Sequence, residues 1–69
     1  MFPMTYASFS KEGVEHGLSL VWASSSNRLL SVLGGEGYDS WLGVDATLAI
    51  NRLVQDEWVE ETRGTVEGK

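Results

Sequence analysis

One stripe of apolar residues constrains the fold of this chain more than any other feature. Ala46, Ala49, Ile50, Leu53 and Val54 recur at helical spacing, the pattern of a helix that turns one face to a core. Asp45 stands just before them, where a carboxylate accepts from the free amides of a first helical turn. The expectation is an amphipathic helix from Asp45 to Glu61. Such a helix needs a surface to lie on, and the residues before it must supply one.

Those residues read as strands. Thr5 to Ser10 contains Tyr6 and Phe9 and runs into Lys11-Glu12-Gly13, where glycine suits the left-handed conformation of a hairpin turn. From Val14 to Ala23, Leu18, Leu20 and Trp22 alternate with Ser19, Val21 and Ala23, the period of a strand with one face more buried than the other. Gly17 is expected to mark a bulge. Ser24-Ser25-Ser26-Asn27 favours a turn, and Arg28 to Leu33 reads as a third strand stopped by Gly34-Gly35. In a rival reading, Leu18, Val21, Trp22, Leu29, Val32 and Leu33 share one face at about 100° per residue, in one helix through the serines. Three serines and an asparagine inside a helix cost on the order of 2 kcal/mol relative to alanine, which favours the hairpin. A short helix capped by Ser25 or Ser26 and ended by Gly34 is a third arrangement.

The expected architecture is therefore α+β: a small antiparallel meander of two or three strands with one C-terminal amphipathic helix packed on it. The alternative is a hairpin plus two helices. Residues 1–63 are expected to form a single small globular domain and 64–69 a flexible C-terminal tail. Gly34 to Gly43 holds four of the eight glycines and reads as a mobile loop.

Size then limits what such a domain can be. Folding a chain near this length buries only about 60% of the surface exposed by its unfolded form. Natural chains below about 70 to 80 residues often add a disulfide, a metal or a partner chain. With no cysteine and one histidine among 69 residues, disulfides and Cys-ligated zinc are excluded, which leaves a protein partner or a homo-oligomer. No run approaches the roughly 18 apolar residues of a membrane span, and Met1-Phe2-Pro3-Met4 lacks the features of a signal peptide. The expectation is a cytoplasmic protein with no membrane partner. The formal charge of −5, with Lys11, Arg28, Arg52, Arg63 and Lys69 scattered singly, argues against direct nucleic-acid binding, which rests on clustered cations.

Motifs for chemistry are lacking. Gly34-Gly35-Glu36-Gly37 has no following Lys-Ser or Lys-Thr and places a carboxylate where a phosphate would sit, so it is no phosphate loop. His16, beside Glu12 and Glu15, reads as a surface histidine, because a metal site needs more ligands. Ser24, Ser25 and Ser26 stand outside any nucleophile-elbow context. Glu12, Glu15, Asp39 and Asp45 show no spacing that singles out a catalytic pair. The chain is expected to be no enzyme and to hold no cofactor and no metal.

Binding is the reading that remains. Asp56, Glu57, Glu60 and Glu61 crowd the expected helix end, where the helix dipole already presents negative charge. Arg52 can pair with Asp56 across one turn. The plain reading is a solvated helix end; the sharper one is an acidic end, with Trp58 embedded, that meets a basic surface. Among the three tryptophans, Trp22 in the alternating strand is the expected core anchor. Trp41, beside Tyr38, and Trp58 fit interface anchors, against the plain alternative that they close the edges of the core. Leu48 and Val59 are expected on the far side of the helix, where they could seat a partner.

The expected function is a small acidic protein-binding module, an adaptor, subunit or inhibitor, that occludes a partner's surface. Its contacts would be Tyr38, Trp41, Leu48, Asp56, Glu57, Trp58, Glu60 and Glu61. One alternative is an acidic competitor of the phage or mobile-element type, placing these carboxylates, with Glu36 and Asp39, in the nucleic-acid groove of an enzyme. A second is a self-assembling structural protein.

Overall fold

The computed structural model describes residues 3–35 and 37–67. The architecture is α+β. Strand β1 (Pro3–Ser10), β2 (Leu18–Ala23) and β3 (Leu29–Leu33) precede a 3-10 turn at Asp39–Trp41, helix α1 (Ala46–Gln55) and strand β4 (Val59–Glu67). The sheet is antiparallel, in the order β3-β2-β1-β4. It has four strands, where the sequence led to an expectation of two or three. The chain leaves the sheet at the β3 edge, packs α1 against one face and returns at the opposite edge as β4.

The hairpin reading of residues 18–33 holds. Leu18, Leu20 and Trp22 are buried while Ser19, Val21 and Ala23 are half-exposed, as the alternation predicts. The irregularity in this hairpin lies between Val21 and Trp22, where Ser31 and Leu29 are the partners, and not at Gly17. Asn27 adopts a positive φ of 59°, a conformation asparagine tolerates better than most residues, and its amide bonds the Ala23 carbonyl at 2.8 Å.

One face of the sheet forms the core. Ala7, Phe9, Leu18, Leu20, Trp22 and Leu29 join Ala46, Ala49 and Leu53 of α1, with Trp58 beyond the helix. Asp45 caps α1 as expected, accepting from the amides of Thr47 and Leu48. Val54, however, falls outside the buried stripe and is exposed.

The helix stops well before Glu61. Asp56 is its C-cap, and Glu57 takes a φ of 72°. The Trp58 amide bonds the Leu53 carbonyl at 2.9 Å and the Glu57 amide bonds that of Val54 at 3.0 Å. Such a pair of bonds closes a helix through a left-handed residue, normally glycine. The reversal sends the chain back along β1, so residues 64–67, expected in a tail, are paired in β4. Residues 68–69 lie outside the described residues. Glu60, Glu61 and Val59 are strand residues, and Val59 does not share a helix face with Leu48.

Pairing in β4 needs little burial of its own side chains, since Val59 to Arg63, Thr65 and Val66 are all exposed. Backbone bonds to β1 hold it, together with side-chain contacts across the sheet. The Arg63 guanidinium lies 5.6 Å from the Trp22 ring centroid and bonds Glu60 through Nε at 3.0 Å and Nη2 at 2.6 Å. On the other face, a Cβ on Gly64 would stand 2.7 Å from the Tyr6 ring. Glycine there lets the ring lie across the strand.

That second face carries no helix. Met4, Tyr6, Ser8 and Ser10 of β1 share it with Ser19, Val21 and Ala23 of β2, as the register requires. Ser31 and Leu33 of β3 extend it on one side, and Thr62, Gly64 and Val66 of β4 on the other. None of these positions holds Asp, Glu, Lys, Arg or His. No helix among the described residues is long and apolar enough to cross a membrane.

Candidate functional site

The segment from Gly34 to Val44 determines which aromatics reach the surface. Gly34 has a φ of 91°, and a Cβ there would collide with the Gly17 carbonyl oxygen, so this glycine permits the close approach of the β1–β2 loop. Glu36 lies outside the described residues. The chain then turns through Asp39–Trp41 and returns beside β3, with the Leu29 amide on the Val44 carbonyl and the Gly43 amide on the Leu29 carbonyl, both at 2.9 Å. Arg28 Nη1 donates to the Gly43 carbonyl at 3.0 Å.

Three of the aromatics picked out in the sequence converge on one another. Tyr38 stands edge-on to Trp41 at 4.5 Å between ring centroids and edge-on to Trp58 at 6.3 Å. Trp58 Nε1 donates to Tyr38 Oη at 3.2 Å. Trp58 is only 6% exposed, which corrects its expected place on the surface: the plain alternative, that it closes the edge of the core, describes it. Tyr38 and Trp41 are half-buried against the core. Trp41 keeps an open side.

That side meets the helix. Trp41, Val44, Leu48, Arg52 and Gln55 line a groove of about 560 Å³, with Ala49 and Asn51 completing it. Leu48, Arg52 and Gln55 lie one helical turn apart in succession, so their side chains form one wall. Leu48 is 65% exposed, an open position for a large apolar side chain beside an aromatic one. Arg52 Nε is 3.8 Å from Asp56 Oδ2, the pairing expected from their spacing. Of the groove residues, the sequence pointed to Trp41 and Leu48 as contacts and not to Val44, Ala49, Asn51, Arg52 or Gln55. Their signal was the helical spacing of Leu48, Arg52 and Gln55, with Val44 two residues before the helix.

The carboxylates occupy another region, at the end of the sheet where β1 finishes and β4 begins. Asp56 and Glu57 sit in the turn after α1, and Glu60 and Glu61 open β4. Ser10 Oγ donates to Glu61 Oε2 at 3.1 Å. The β1–β2 loop brings Glu12 and Glu15 to the same end, where a second cleft of about 340 Å³ is lined by Lys11, Glu15, His16, Tyr38 and Trp58, among others. Lys11 Nζ lies 5.9 Å from the Trp58 ring centroid. His16 and Glu15 approach to 3.9 Å but both stand in solvent. Hydrogen bonding to Glu60 holds the Arg63 guanidinium above its usual range.

Among the described residues, no three His, Asp or Glu side chains are placed to hold a metal ion together. The sequence-selected residues thus fall into three groups: the buried Trp58 with Tyr38, the groove pair Trp41 and Leu48, and the carboxylate end. No protein-family model matches the chain, and neither a curated protein nor a solved structure matches it.

Proposed function

We propose that this chain is a small protein-binding module that docks through the groove between Trp41 and Leu48. The observation that carries the reading is Leu48, 65% exposed on the wall of a groove that also contains Trp41. Tryptophan and arginine, which Trp41 and Arg52 supply to this groove, are enriched at interface hot spots. Val44 and Ala49 give the groove an apolar floor, while Asn51, Arg52 and Gln55 supply polar groups at its rim. The partner chemistry that fits is an apolar side chain flanked by hydrogen-bond acceptors, on a protein whose own surface the docked module then occludes.

A comparison of captured proteins tests this. The tagged wild-type chain and its Leu48→Glu variant are each used to retain proteins from the same lysate. Because Leu48 is exposed, the variant should stay folded, and the reading predicts that a protein retained by wild type through high salt is lost. Equal retention by both would contradict it.

A second reading rests on the carboxylate end. Glu12, Glu15, Asp56, Glu57, Glu60 and Glu61 gather where two loops and the start of β4 meet, which favours contact with a basic surface. An acidic competitor for a nucleic-acid groove would use this end. Its binding would fall steeply as salt rises, whereas an apolar groove contact would persist.

A further inference from the structure

We infer that the groove between Trp41 and Leu48 takes an extended segment of another protein in which a large apolar residue is followed, two positions on, by a carboxylate that Arg52 holds. The inference rests on that groove being the docking site and adds the class of its occupant. Its first support is the state of the cations. The chain carries a formal charge of −5, and three of its four described cations are already engaged. Arg28 donates to the Gly43 carbonyl, Arg63 donates to Glu60 through two nitrogens, and Lys11 lies over the Trp58 ring. Arg52 differs. Its approach to Asp56 is 3.8 Å from Nε, longer than a hydrogen bond, and no hydrogen bond among the described residues occupies its two Nη groups. Those groups form a planar fork that matches a carboxylate.

The second support is the composition of the groove. Beside apolar Trp41, Val44 and Leu48 it presents Arg52 and the amides of Asn51 and Gln55, and its lining includes no Asp or Glu. On a molecule of net negative charge this is a locally cationic surface, with Asp56 beside it on the Nε side of Arg52. Complementary charge selects an acidic occupant over a basic one.

The third is spacing. Leu48 and Arg52 stand four residues apart in α1, about 6 Å along the helix axis. Alternate residues of an extended chain point to the same side about 6.6 Å apart. A segment whose apolar side chain packs between Trp41 and Leu48 therefore brings the side chain two residues on to Arg52. The wall from Leu48 to Gln55 runs about 10.5 Å, so a groove of about 560 Å³ averages roughly 50 Å² in section. A helix about 10 Å across needs roughly 80 Å², and an extended chain fits where a helix does not.

Selection from a library of random dodecapeptides displayed on phage, by the immobilised 69-residue chain, tests the inference. Wild type should enrich an apolar residue followed two positions later by Asp or Glu. Arg52→Gln should keep the apolar preference and lose the acidic one, and Arg52→Glu should replace it with Lys or Arg. Lys11→Gln removes the same charge away from the groove and should select as wild type does. Leu48→Glu should abolish enrichment. Leu48 and Arg52 are both exposed, so these variants keep the fold, and Arg52→Gln answers the question by itself if Arg52→Glu does not. For one enriched peptide, Arg52→Gln and exchange of the peptide carboxylate for an amide should each weaken binding roughly tenfold, with no further loss when combined. Apolar peptides without a carboxylate, an acidic preference kept by Arg52→Gln, additive losses, or no enrichment by wild type would overturn the inference while leaving the groove a docking site for a folded surface. Enrichment unchanged in Leu48→Glu would overturn the groove reading with it.

Discussion

Asn27 braces the helix cap at Asp45 from the neighbouring turn. Its side-chain amide donates to Asp45 Oδ1 at 3.1 Å and to Thr47 Oγ1 at 2.9 Å, while its own carbonyl accepts from the Ala46 amide at 2.7 Å. The same Asp45 oxygen accepts from the amides of Thr47 and Leu48 at 2.9 and 3.3 Å. The turn of the β2–β3 hairpin and the first turn of α1 are therefore one hydrogen-bonded unit, and the groove wall that begins at Leu48 is positioned by it.

Substitution at Asn27 separates backbone from side chain. Asn27→Gly accepts the positive φ but loses the side-chain bonds, which should cost ~1 to 2 kcal/mol. Asn27→Ala loses the same bonds and adds about 1 kcal/mol of left-handed strain. Denaturant midpoints should rank wild type above Gly and Gly above Ala, and equal values for the two variants would show that the backbone conformation contributes nothing.

Glu57 offers the opposite outcome. It holds the left-handed position that closes α1, where glycine is the usual residue, and it places a carboxylate near the negative end of the helix dipole. Glu57→Gly should raise stability by roughly 0.5 to 1 kcal/mol, after allowance for the greater freedom glycine adds to the unfolded chain. Thermal and denaturant melts check the sign.

The contact between Trp58 and Tyr38 should behave as part of the core. Tyr38→Phe removes the acceptor of the indole N–H and should cost about 1 to 3 kcal/mol. Trp58→Ala empties a buried site and should cost on the order of 3 to 5 kcal/mol, enough to unfold many domains of this size. Near-wild-type stability in Trp58→Ala would contradict the buried placement of this residue.

Leu48→Ala should be nearly silent in the same melts, within about 0.5 kcal/mol, because little of the side chain is removed from water. If the groove is a binding surface, the same variant should weaken partner binding by about 2 kcal/mol or more. A loss of stability equal to the loss of affinity would assign Leu48 to packing instead.

The parts of this fold legible from sequence were those where side chains meet the core. Leu18, Leu20 and Trp22 announced β2 because burial of one face imposes a period of two, and Asp45 announced α1 because a capping carboxylate has few other uses there. The end of α1 was hidden because its left-handed stop is Glu57 rather than glycine, so the helical reading ran on to Glu61. β4 was hidden for a different reason. An edge strand held by its backbone needs no apolar alternation, and only its β-branched Val59, Thr62, Thr65 and Val66 hinted at extended structure. Its charged Glu60, Glu61 and Arg63 suit an exposed edge, where they discourage further strand pairing. For the candidate site, Trp41 and Leu48 stood out as apolar residues without an assigned core role. The groove they share depends on the return of Gly43 and Val44 beside β3, a long-range contact that residue spacing does not encode.

The most direct test of the account is where a captured partner touches the chain, read as changes in backbone amide and indole resonances of the isotope-labelled protein. The account predicts changes at the Trp41 indole and at Val44, Leu48, Arg52 and Gln55, persisting as salt is raised. Changes confined to Glu12, Glu15, Asp56, Glu57, Glu60 and Glu61, vanishing with salt, would contradict it and make the carboxylate end the working surface.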